Sequence, residues 1–394
     1  MSRFRRAFTA LGAYGQYGFP FLLGPAPTPT ARLRRLTGPS YLPKRRRFLR
    51  PFVFAVMVLA WPLGALATAI RLDRQDARPG WLRRVADAWW LAVTRNVPPF
   101  EYRAYRLDQP GSRADLLQFV FWTDLRAFAV LNARCGAQEQ AVKDKARFAS
   151  ICETHGLPCV PTLAVFRDGI QVTPAAPFVP EAPELWVKSL AGHGGQGTAL
   201  WQRADGSYHN GKDVAVAADK FAQHVSGADC LIQPRVLNHP AIADMTNGAL
   251  ASLRIITGID RERRATVVAA MLYLPSGDQI TSVAGIGCAI DMDHSVLTKA
   301  LDFRNGARDI TRHPDTNAAI TGRTLPFWPE SVALAVRAHE TGFGRFVFLG
   351  WDIALTPEGP LLLEANAGWL ALHLQLLNGP LGRTEFSRIL NEHL

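Results

Sequence analysis

The stretch from Gly350 to Asn366, GWDIALTPEGPLLLEAN, combines two carboxylates and an amide with the pattern of a β-hairpin. The turn residues Pro-Glu-Gly separate two apolar runs, which predicts strand, tight turn and strand. If the pairing is centred on the glutamate of the turn, Asp352 lies directly opposite Glu364, and Asn366 follows two residues on along the same face. The other face is apolar and is predicted to be core: it carries Ile353, Leu355, Leu361, Leu363 and Ala365.

Two carboxylates held that close repel each other, and the pKa of one rises, unless a cation lies between them. A hard divalent ion suits this arrangement, and Mg2+ is usually bound by one or two carboxylates together with substrate phosphates. The hairpin therefore points to a nucleotide and Mg2+ at one site. The alternative is a solvated hairpin end with a chance Asp and Glu, since a bulge at the turn would change the register.

Glycines are dense in the segment that follows the predicted strand Leu185 to Lys188. This segment, SLAGHGGQGT, runs from Ser189 to Thr198, and a second strand follows from Ala199 to Gln202. The backbone N–H groups of such a loop can close over phosphate oxygens, and Lys188 at its root adds a positive charge. The spacing is neither that of a Walker A loop nor that of a dinucleotide fingerprint. A Gly-rich hairpin tip without function is the alternative.

Further strands are predicted at Cys230 to Gln233, Ala251 to Thr257 and Ala265 to Leu274. They suit a central antiparallel sheet shared with the closing hairpin. Arg254 lies inside one of these strands, where an unpaired charge would be costly to bury. We expect it either to pair with the carboxylates or to face a negative ligand. Two preceding segments, 113–134 and 138–155, have apolar spacing typical of helices.

The formal net charge of +11 over 394 residues is concentrated at the N-terminus. Through Arg106 there are 19 basic and 4 acidic residues, a net charge of +15, and the remainder of the chain carries −4. Within this basic part, Phe52 to Ile70 is a run of 19 residues without a charge, which is near the length that spans a bilayer core. Basic residues flank the run on both sides, which argues against a simple span.

The motif Trp61-Pro62-Leu63-Gly64 offers a bend in the middle of the run, so a helical hairpin that dips into the membrane is another interpretation. A buried core helix or helix pair is a third. The surrounding arginines favour an anionic lipid surface, and Trp81 to Trp90 is compatible with an interfacial helix. Nucleic acid ranks below lipid as a partner, because the basic clusters adjoin an apolar run rather than interleaved aromatic and polar residues.

Five cysteines, at positions 135, 152, 159, 230 and 288, form no CxxC pair and no metal-ligand spacing, and their number is odd. This pattern favours a reducing, cytosolic compartment. A catalytic cysteine has no supporting motif.

The order of these features resembles the ATP-grasp superfamily. More narrowly, LIQPRVLNHP, SLRIIT, the HPDT of His313 to Thr316 and the closing hairpin are similar to the sugar-transfer associated ATP-grasp group, which is related to the alpha-L-glutamate ligases. The resemblance covers roughly Gln138 to Leu377. It implies an α+β fold in which two lobes grip ATP and Mg2+ bridges the phosphates. It also implies that a carboxylate is activated as an acyl phosphate before an amine displaces the phosphate.

The resemblance also implies roles for individual residues. Nucleotide binding is implied for Lys188 and for Lys145, which directly follows Asp144; Lys143 is a weaker candidate than Lys145. The loop over the phosphates corresponds to Gly192, His193, Gly194, Gly195 and Gly197. The linker along the adenine corresponds to Gln233, Pro234, Arg235 and Val236. The implied Mg2+ ligands are Asp352, Glu364 and Asn366. Arg254, facing the transferred phosphate and acyl group, and Lys188 are the implied catalytic residues.

The linker departs from the family pattern. Many members have an acidic residue there that holds the ribose, whereas this sequence reads Pro234-Arg235, and we expect Asp244 to take that role. His193 either touches the acceptor or caps the turn. The motif from His313 to Thr316 is a candidate for shaping the acceptor pocket, and Asp291 and Asp293 either line the same mouth or belong to a plain loop.

The expected organisation has four parts: a membrane-associated helical region at 1–106, the N-terminal part of the catalytic region with a connector at 107–183, a small lobe with the Gly-rich loop at 184–236, and a large lobe with the metal site at 237–394. The predicted activity is that of an ADP-forming carboxylate-amine ligase at the cytoplasmic face of the inner membrane. Its predicted substrates are ATP and small-molecule or glycan partners, in modification of a surface glycan or its lipid-linked precursor. A kinase of a sugar or polyol hydroxyl, a non-catalytic nucleotide-binding scaffold and a nucleic-acid binder are the alternatives.

Overall fold

A computed structural model describes residues 19, 21, 24–40, 42, 47–74, 78–191, 197–211, 214–277 and 285–394. The helices, in chain order, are α1 (Pro29–Ser40), α2 (Arg50–Asp73), α3 (Trp81–Arg95), α4 (Pro99–Ala104), α5 (Pro110–Ala114), α6 (Leu125–Arg134), α7 (Gln140–Lys143), α8 (Lys145–Thr154), α9 (Phe221–Val225), α10 (Pro240–Ala243), α11 (Trp328–Thr341), α12 (Ala371–Asn378) and α13 (Glu385–His393). Short 3-10 turns lie at Arg47–Leu49, Trp122–Asp124, Ala218–Lys220, Phe303–Asn305 and Leu381–Arg383.

The strands divide into two groups of seven. The first group is β1 (Ala164–Arg167), β2 (Ile170–Thr173), β3 (Glu184–Ser189), β4 (Thr198–Ala204), β5 (Ser207–His209), β6 (Ala215–Ala217) and β7 (Cys230–Pro234). The second group is β8 (Ser252–Ile259), β9 (Ala265–Leu274), β10 (Ile286–Asp291), β11 (Val296–Asp302), β12 (Arg308–Ile310), β13 (Phe348–Thr356) and β14 (Gly359–Asn366).

The first sheet, with α9 packed on it, is called the small lobe below. Its strand order is β2-β1-β7-β3-β4-β5-β6, and every neighbouring pair is antiparallel. One face buries a cluster around Trp201, Tyr208 and Phe221. Because β1 pairs with β7, the sheet begins at Ala164 rather than at 184, so two strands of the predicted connector region belong to the small lobe.

The second sheet, with α11, α12 and α13, is called the large lobe. Its strand order is β12-β11-β10-β9-β8-β13-β14, again antiparallel throughout, so the closing hairpin lies at one edge. One face packs against α11 and buries Leu253, Ile255, Trp351 and Ile353. The other face packs against α6, α12 and α13. Since side chains alternate along a strand, Arg254 and Asp352 project on this second face.

The closing hairpin has a tighter turn than the sequence predicts, and a bulge restores the predicted register. Thr356 pairs with Gly359, so only two residues form the turn. Moving away from the turn, Ile353 still pairs with Leu362, and the register then shifts by one residue. Beyond this shift Asp352 lies opposite Glu364, as predicted. The predicted core positions Leu361 and Leu363 are half-buried, and Leu362 is fully buried instead. The short turn shifts the strand pairing by one residue from the predicted register, and the bulge shifts it back.

A single continuous helix, α2, contains the whole uncharged run from Phe52 to Ile70. Pro62 lies inside it without breaking it, so the run does not form the helical hairpin that its Trp-Pro-Leu-Gly motif suggests. All of its buried residues lie at or after Trp61, where it packs against α3. Its first half exposes large apolar side chains, including Phe52 at 69% and Leu59 at 73% exposure. Within the described residues, it is the one helix long and apolar enough to cross a membrane.

The second half of α2, together with α3 and α4, forms a helical layer that is attached to the large lobe. Its core includes Ala69, Val85 and Tyr102, and Leu372 and Leu376 of α12 pack against it. Two arginines of the basic region are paired internally rather than available to a lipid surface. Arg84 bridges to Asp73 at 2.8 Å, and Arg34 is fully buried against Asp124 at 3.2 Å.

The two predicted helical segments are each interrupted. Segment 113–134 contains α6 only from Leu125 onward, and segment 138–155 contains the short α7 followed by α8. Asp144 separates the last two because its backbone is extended, with ψ of 109°, and its side chain caps the new helix. Its carboxylate accepts hydrogen bonds from the N–H groups of Ala146 and Arg147, which satisfies donors that have no intrahelical partner.

Candidate active site

The two predicted metal-binding carboxylates lie side by side at the edge of the large lobe. Asp352 and Glu364 are directly paired residues of β13 and β14, and the Asn366 side-chain amide donates to both, at 3.3 Å to Asp352 and 3.2 Å to Glu364. Burial raises the pKa of Asp352 to about 7. Burial alone would also raise the pKa of Glu364, but hydrogen bonds from Asp352 and Asn366 outweigh it and lower that pKa.

The opposite directions of these shifts are typical of two adjacent carboxylates, one of which takes up a proton more readily than the other. A divalent cation with oxygen ligands could replace that proton, because both carboxylates must be ionised to bind it. The donor set of two carboxylates and an amide therefore fits Mg2+. Among the described residues, no three His, Cys, Asp or Glu side chains come together as a possible metal site.

Arg254 pairs with the aspartate of this site, which is one of the two outcomes expected for it. It lies directly opposite Asp352 on β8. Its guanidinium makes a bidentate contact, with Nε 2.6 Å from Oδ1 and Nη2 3.0 Å from Oδ2. Three adjacent strands therefore place Arg254, Asp352 and Glu364 in one row on the same face. The guanidinium therefore lies directly beside the two carboxylates.

Lys188 approaches this row from the small lobe. It is half-buried, and its Nζ donates to the side-chain oxygen of Gln233 at 2.8 Å. Burial lowers the pKa of Lys188 to about 8; the charge of Glu364 opposes this effect and the charge of Lys145 adds to it. Gln233 in turn donates to the carbonyl oxygen of Val160 at 3.2 Å. The strand lysine and the linker glutamine are thus one hydrogen-bonded unit facing the carboxylates.

Lys145 is the first residue of α8, directly after the capping Asp144. The cap is itself held by Arg167 of β1 at 2.6 Å, which ties the helix to the small lobe. The backbone N–H of Lys145 donates to the carbonyl oxygen of Leu190 at 3.2 Å, at the start of the Gly-rich segment. Lys143, the weaker candidate, is half-exposed and pairs with Glu139.

A cavity of about 220 Å³ lies beside these groups. Its lining includes Lys145, Glu364 and Asn366, together with Leu125 and Ala129 of α6. A volume of this size holds a small organic group rather than a polymer segment. The site therefore has room for a substrate moiety next to the carboxylates.

The Gly-rich loop is described only at its ends. Gly192, His193, Gly194 and Gly195 lie outside the described residues. Gly197 has a φ of +69°, and its carbonyl oxygen accepts from the N–H of Ser189 at 3.0 Å, which closes the base of the loop. A Cβ at Gly197 would lie 3.0 Å from the Cβ of Ser189, so the closure requires glycine here.

The linker residues lie where the small lobe ends. Gln233 and Pro234 are the last residues of β7, and Val236 follows in the connection to α10. Arg235 pairs with Glu184 at 2.7 Å and also donates to the carbonyl oxygen of Gly248.

Asp244, the residue expected to hold the ribose, directly follows α10. Both of its carboxylate oxygens accept from Arg323, at 3.0 and 2.8 Å.

Two motifs that were candidates for the acceptor pocket have local structural partners. His313 is buried, with its Nε2 2.9 Å from the carbonyl oxygen of Pro275, and Asp315 accepts from the N–H of Gly277 at 2.6 Å. They hold the segment that leaves β9. Asp291 pairs with the exposed His294 at 2.9 Å in a turn.

Sequence reasoning did not identify Tyr273 and His373 as part of this site. Tyr273 lies on β9, the strand beyond Arg254, and its ring centre is 5.8 Å from the Arg254 guanidinium. Its hydroxyl is 2.9 Å from Nδ1 of His373 on α12. The alternation along β9 would have placed Tyr273 on the face of Arg254, but nothing in the sequence predicts that α12 brings His373 there.

A sequence profile of the family described as sugar-transfer associated ATP-grasp matches residues 128–389. Similar solved structures include an ADP complex of N5-carboxyaminoimidazole ribonucleotide synthetase (14% identity, TM-score 0.34) and biotin carboxylase with an ATP analogue from Campylobacter jejuni (12%, 0.38). An L-amino acid ligase from Bacillus licheniformis is a third (10%, 0.34).

These three alignments cover 64%, 64% and 63% of this chain and 52%, 46% and 46% of the respective solved chains, so the chain spans about half of their length. None of the curated proteins is a significant match. The profile match alone extends over about two thirds of the chain.

Proposed function

The chain belongs to the sugar-transfer associated ATP-grasp family, and on that premise we propose that it is an ATP-dependent ligase joining a carboxylate to an amine. The observation that carries the proposal is the row of Glu364, Asp352 and Arg254 on three adjacent strands, with Lys188 facing it from the other lobe. This arrangement concentrates cations and metal ligands at one point and contains no protein nucleophile. Such a site suits phosphoryl transfer, which depends on positioning and charge neutralisation.

Each residue has a distinct proposed role. Lys145 and Lys188 bind the ATP phosphates under the Gly-rich loop, and Gln233 to Val236 line the adenine. Asp352, Glu364 and Asn366 would hold Mg2+, which when bound neutralises phosphate charge and orients the terminal phosphate. Arg254 exchanges part of its contact with Asp352 for the transferred phosphate. Asp244 remains a proposed ribose ligand, for which it would have to leave Arg323.

The proposed reaction has two steps. An oxygen of the substrate carboxylate bonds to the terminal phosphorus of ATP, and the bond to the bridging oxygen breaks, which releases ADP and forms an acyl phosphate. The amine nitrogen then bonds to the carbonyl carbon, and phosphate leaves with the electron pair of the broken carbon–oxygen bond. One proton is released from the nitrogen. The association of the family with sugar transfer supports a sugar acid or amino acid of a surface glycan or its lipid carrier as substrate, by analogy.

The test is ATP turnover with Mg2+ across a panel of amino acids and sugar acids, with ADP and phosphate followed separately. We expect ADP and phosphate to rise together, to depend on both an acid and an amine, and to be absent in Glu364→Gln. ADP without phosphate would instead indicate a kinase acting on a hydroxyl. ATP binding without turnover would indicate a scaffold.

We further propose that the enzyme lies on the cytoplasmic face of the inner membrane, as a peripheral or monotopic protein. The exposed side of α2 supports this, because Phe52 and Leu59 in its first half and Leu63 shortly after Trp61 form an apolar surface on a net positive region. Its second half is covered by α3, which leaves too little exposed length for a complete span. The five free cysteines are compatible with a reducing compartment.

Binding to vesicles of phosphatidylcholine and phosphatidylglycerol in equal amounts, measured by flotation, tests this attachment. The double variant Leu59→Asp/Leu63→Asp should bind about 100-fold more weakly, since each leucine contributes roughly 1.5 kcal/mol or more when buried. Val172→Asp is the matched control, because Val172 is also half-exposed but lies on β2 of the small lobe. Unchanged flotation of the double variant would contradict the attachment, and salt-sensitive binding to RNA without vesicle binding would point to nucleic acid instead.

A further inference from the structure

A hydrogen-bonded pair, the buried Tyr273 and the half-buried His373, lies next to the row of site residues on the side away from the proposed metal-binding edge. Arg254 is directly opposite Met271 on β9, and Tyr273 is the diagonal neighbour two residues on. Because neighbouring strands lie in the order β14, β13, β8 and β9, these side chains lie across the sheet in the order Glu364, Asp352, Arg254 and Tyr273. The pair therefore lies next to Arg254, which is proposed to contact the acyl phosphate. Arg254 separates the pair from the proposed metal ligands.

The imidazole of His373 is held in a fixed orientation. Its Nδ1 lies 2.9 Å from the hydroxyl oxygen of Tyr273. The ring of Phe303 stacks on it with centroids 3.7 Å apart and planes 8° from parallel. The stack depends on Gly287, since a Cβ there would lie 2.4 Å from the Phe303 ring. A hydrogen bond and a stacked ring together define the position of the imidazole before any substrate binds.

The remaining hydrogen-bonding capacity of the pair is available to a ligand. Nε2 of His373 has no hydrogen-bond partner among the described residues, and the side chain is only partly buried. Several residues are proposed to bind ATP, phosphate or Mg2+. Of these, Arg254 is the one that contacts Tyr273 within the described residues. Binding of ATP and Mg2+ therefore leaves the pair without an evident role, whereas the second step of the proposed reaction requires a proton acceptor.

We propose that the Tyr273–His373 pair takes up the proton that the attacking amine loses when it displaces phosphate from the acyl phosphate. This inference rests on the proposed ligase function and assigns catalytic residues to its second step. The substrate class it implies is a primary amine positioned between Arg254 and His373.

The proton has a balanced route in either arrangement of the hydrogen bond. If the Tyr273 hydroxyl donates to Nδ1, it passes its proton to the imidazole as its oxygen accepts one from the nitrogen of the substrate. If Nδ1–H donates to Tyr273, Nε2 accepts the proton directly. In both cases the carbon–nitrogen bond forms, the carbon–oxygen bond to phosphate breaks, and His373 ends as imidazolium.

The electrostatics agree with this role. Burial, and to a smaller extent the charge of Arg254, lowers the pKa of His373 to about 4, so the imidazole is neutral at physiological pH and is a weak base before the substrates bind. A phosphate anion bound beside Arg254 would offset its charge and raise the pKa of His373 part of the way toward its usual value. The base therefore becomes stronger when the substrates are in place.

The test separates the two steps with hydroxylamine, whose adduct loses a proton far more readily than that of an alkyl amine. Each acid of the panel is supplied with ATP, Mg2+ and either hydroxylamine or glycine, and hydroxamate and amide are measured. In His373→Gln we expect amide formation to fall about 100-fold and hydroxamate formation to change little. Tyr273→Phe, which keeps the ring beside Arg254, should show the same split if the hydroxyl donates to Nδ1 and a smaller split if Nδ1–H donates to the hydroxyl. His294→Gln is the matched control on an exposed turn, and both products should be unchanged.

The outcomes are distinguishable. A wild-type enzyme that forms no hydroxamate with any acid would overturn the ligase function, and this inference with it. Wild-type hydroxamate formation that both variants lose to the same extent as amide formation would show that the pair supports the structure or the first step, and would overturn this inference alone. Unchanged amide formation in both variants would overturn it as well.

Discussion

At the scale of single residues, the protein without nucleotide disfavours the charged form of Lys188. Its pKa is lowered from its usual 10.5 to about 8 by burial, and its near neighbours include another lysine. ATP phosphates would supply the missing negative charge. The residue is therefore expected to destabilise the protein without nucleotide and to stabilise its complex.

Lys188→Met should raise the Tm of the nucleotide-free protein at pH 7 by about 2 to 4 °C, because methionine keeps the volume without the buried charge. The unfolded lysine holds its proton up to pH 10.5, whereas the folded one loses it above about pH 8. Wild-type stability should therefore increase with pH across that interval, and the advantage of the variant should disappear by its upper end. Thermal unfolding as a function of pH measures this.

Two comparisons make this prediction specific. The exposed substitution Lys220→Met should leave the Tm unchanged at every pH. Mg2+ and ATP should raise the Tm of the wild type but not of Lys188→Met. If Lys188→Met is less stable than wild type at pH 7, the charge of Lys188 is already balanced by neighbouring groups in the protein without nucleotide.

The pair of Arg254 and Asp352 should act as a unit in stability. In Mg2+-free buffer at pH 8, Arg254→Met removes the cation that faces two carboxylates, and we expect a loss of about 3 kcal/mol in the free energy of unfolding. Adding Asp352→Asn should recover much of this loss, because one of the two charges is then absent. Urea unfolding of both single variants and the double variant gives the coupling. A double variant whose loss equals the sum of the single losses would contradict it.

At the scale of elements, the N-terminus of α8 positions Lys145, the lysine that we propose to bind the nucleotide. Asp144 caps this helix and also pairs with Arg167 of β1. We predict that Asp144→Ala lowers the free energy of unfolding by about 1 kcal/mol and raises the KM for ATP. Asp144→Asn retains the cap but loses the ion pair, so it should keep the stability and raise KM less. Equal effects of both variants on stability would show that the cap contributes nothing.

The elements also show why the sequence predicted the metal-binding pair while missing the packing around it. Opposition of Asp352 and Glu364 follows from turn chemistry and strand alternation, and the structure confirms it. The turn is one residue shorter than predicted, and the bulge that compensates has no sequence mark, so Leu362 rather than Leu361 or Leu363 is buried. Local patterns define which strands pair, but a bulge depends on the twist and packing of the whole sheet.

The helices are harder to predict than the hairpin. Periodicity gave two long helices at 113–134 and 138–155, whereas the structure breaks both. Asp144 is a recognisable cap, but propensity alone does not decide between a cap and a helix interior. His373 shows the same limit at the site, since its contact with Tyr273 spans a hundred residues and depends on where α12 docks. The order of motifs along the chain predicted the fold. The position of His373 beside Tyr273 depends on long-range packing, which the sequence did not predict.

At the scale of the molecule, the N-terminal helices are part of the folded body as well as the proposed lipid contact. The layer of α2, α3 and α4 shares its core with Leu372 and Leu376 of α12. Tyr105 at its end accepts a hydrogen bond from the side chain of Gln375 at 2.7 Å. A chain without this layer would expose apolar surface directly behind the site.

Deletion of residues 1–106 should therefore lower the Tm by more than 5 °C or cause aggregation, because Leu372, Leu376 and Asp124 lose their partners. Differential scanning fluorimetry and gel filtration measure both outcomes. The double variant Leu59→Asp/Leu63→Asp should remain monodisperse with an unchanged Tm, since those side chains are exposed. A fully stable truncation would mean that the layer is a separable anchor.

The helix α12 is only eight residues long, and it serves both parts of the molecule. His373 faces Tyr273, while Gln375 contacts Val120 N–H at 2.9 Å, the Val120 carbonyl at 2.7 Å, Leu381 N–H at 3.2 Å and Tyr105. Few substitutions at position 375 can satisfy all four partners. During divergence, the N-terminal layer can thus be exchanged or lost only if α12 changes with it, so Tyr105 and Gln375 should vary together among descendants of a common ancestor.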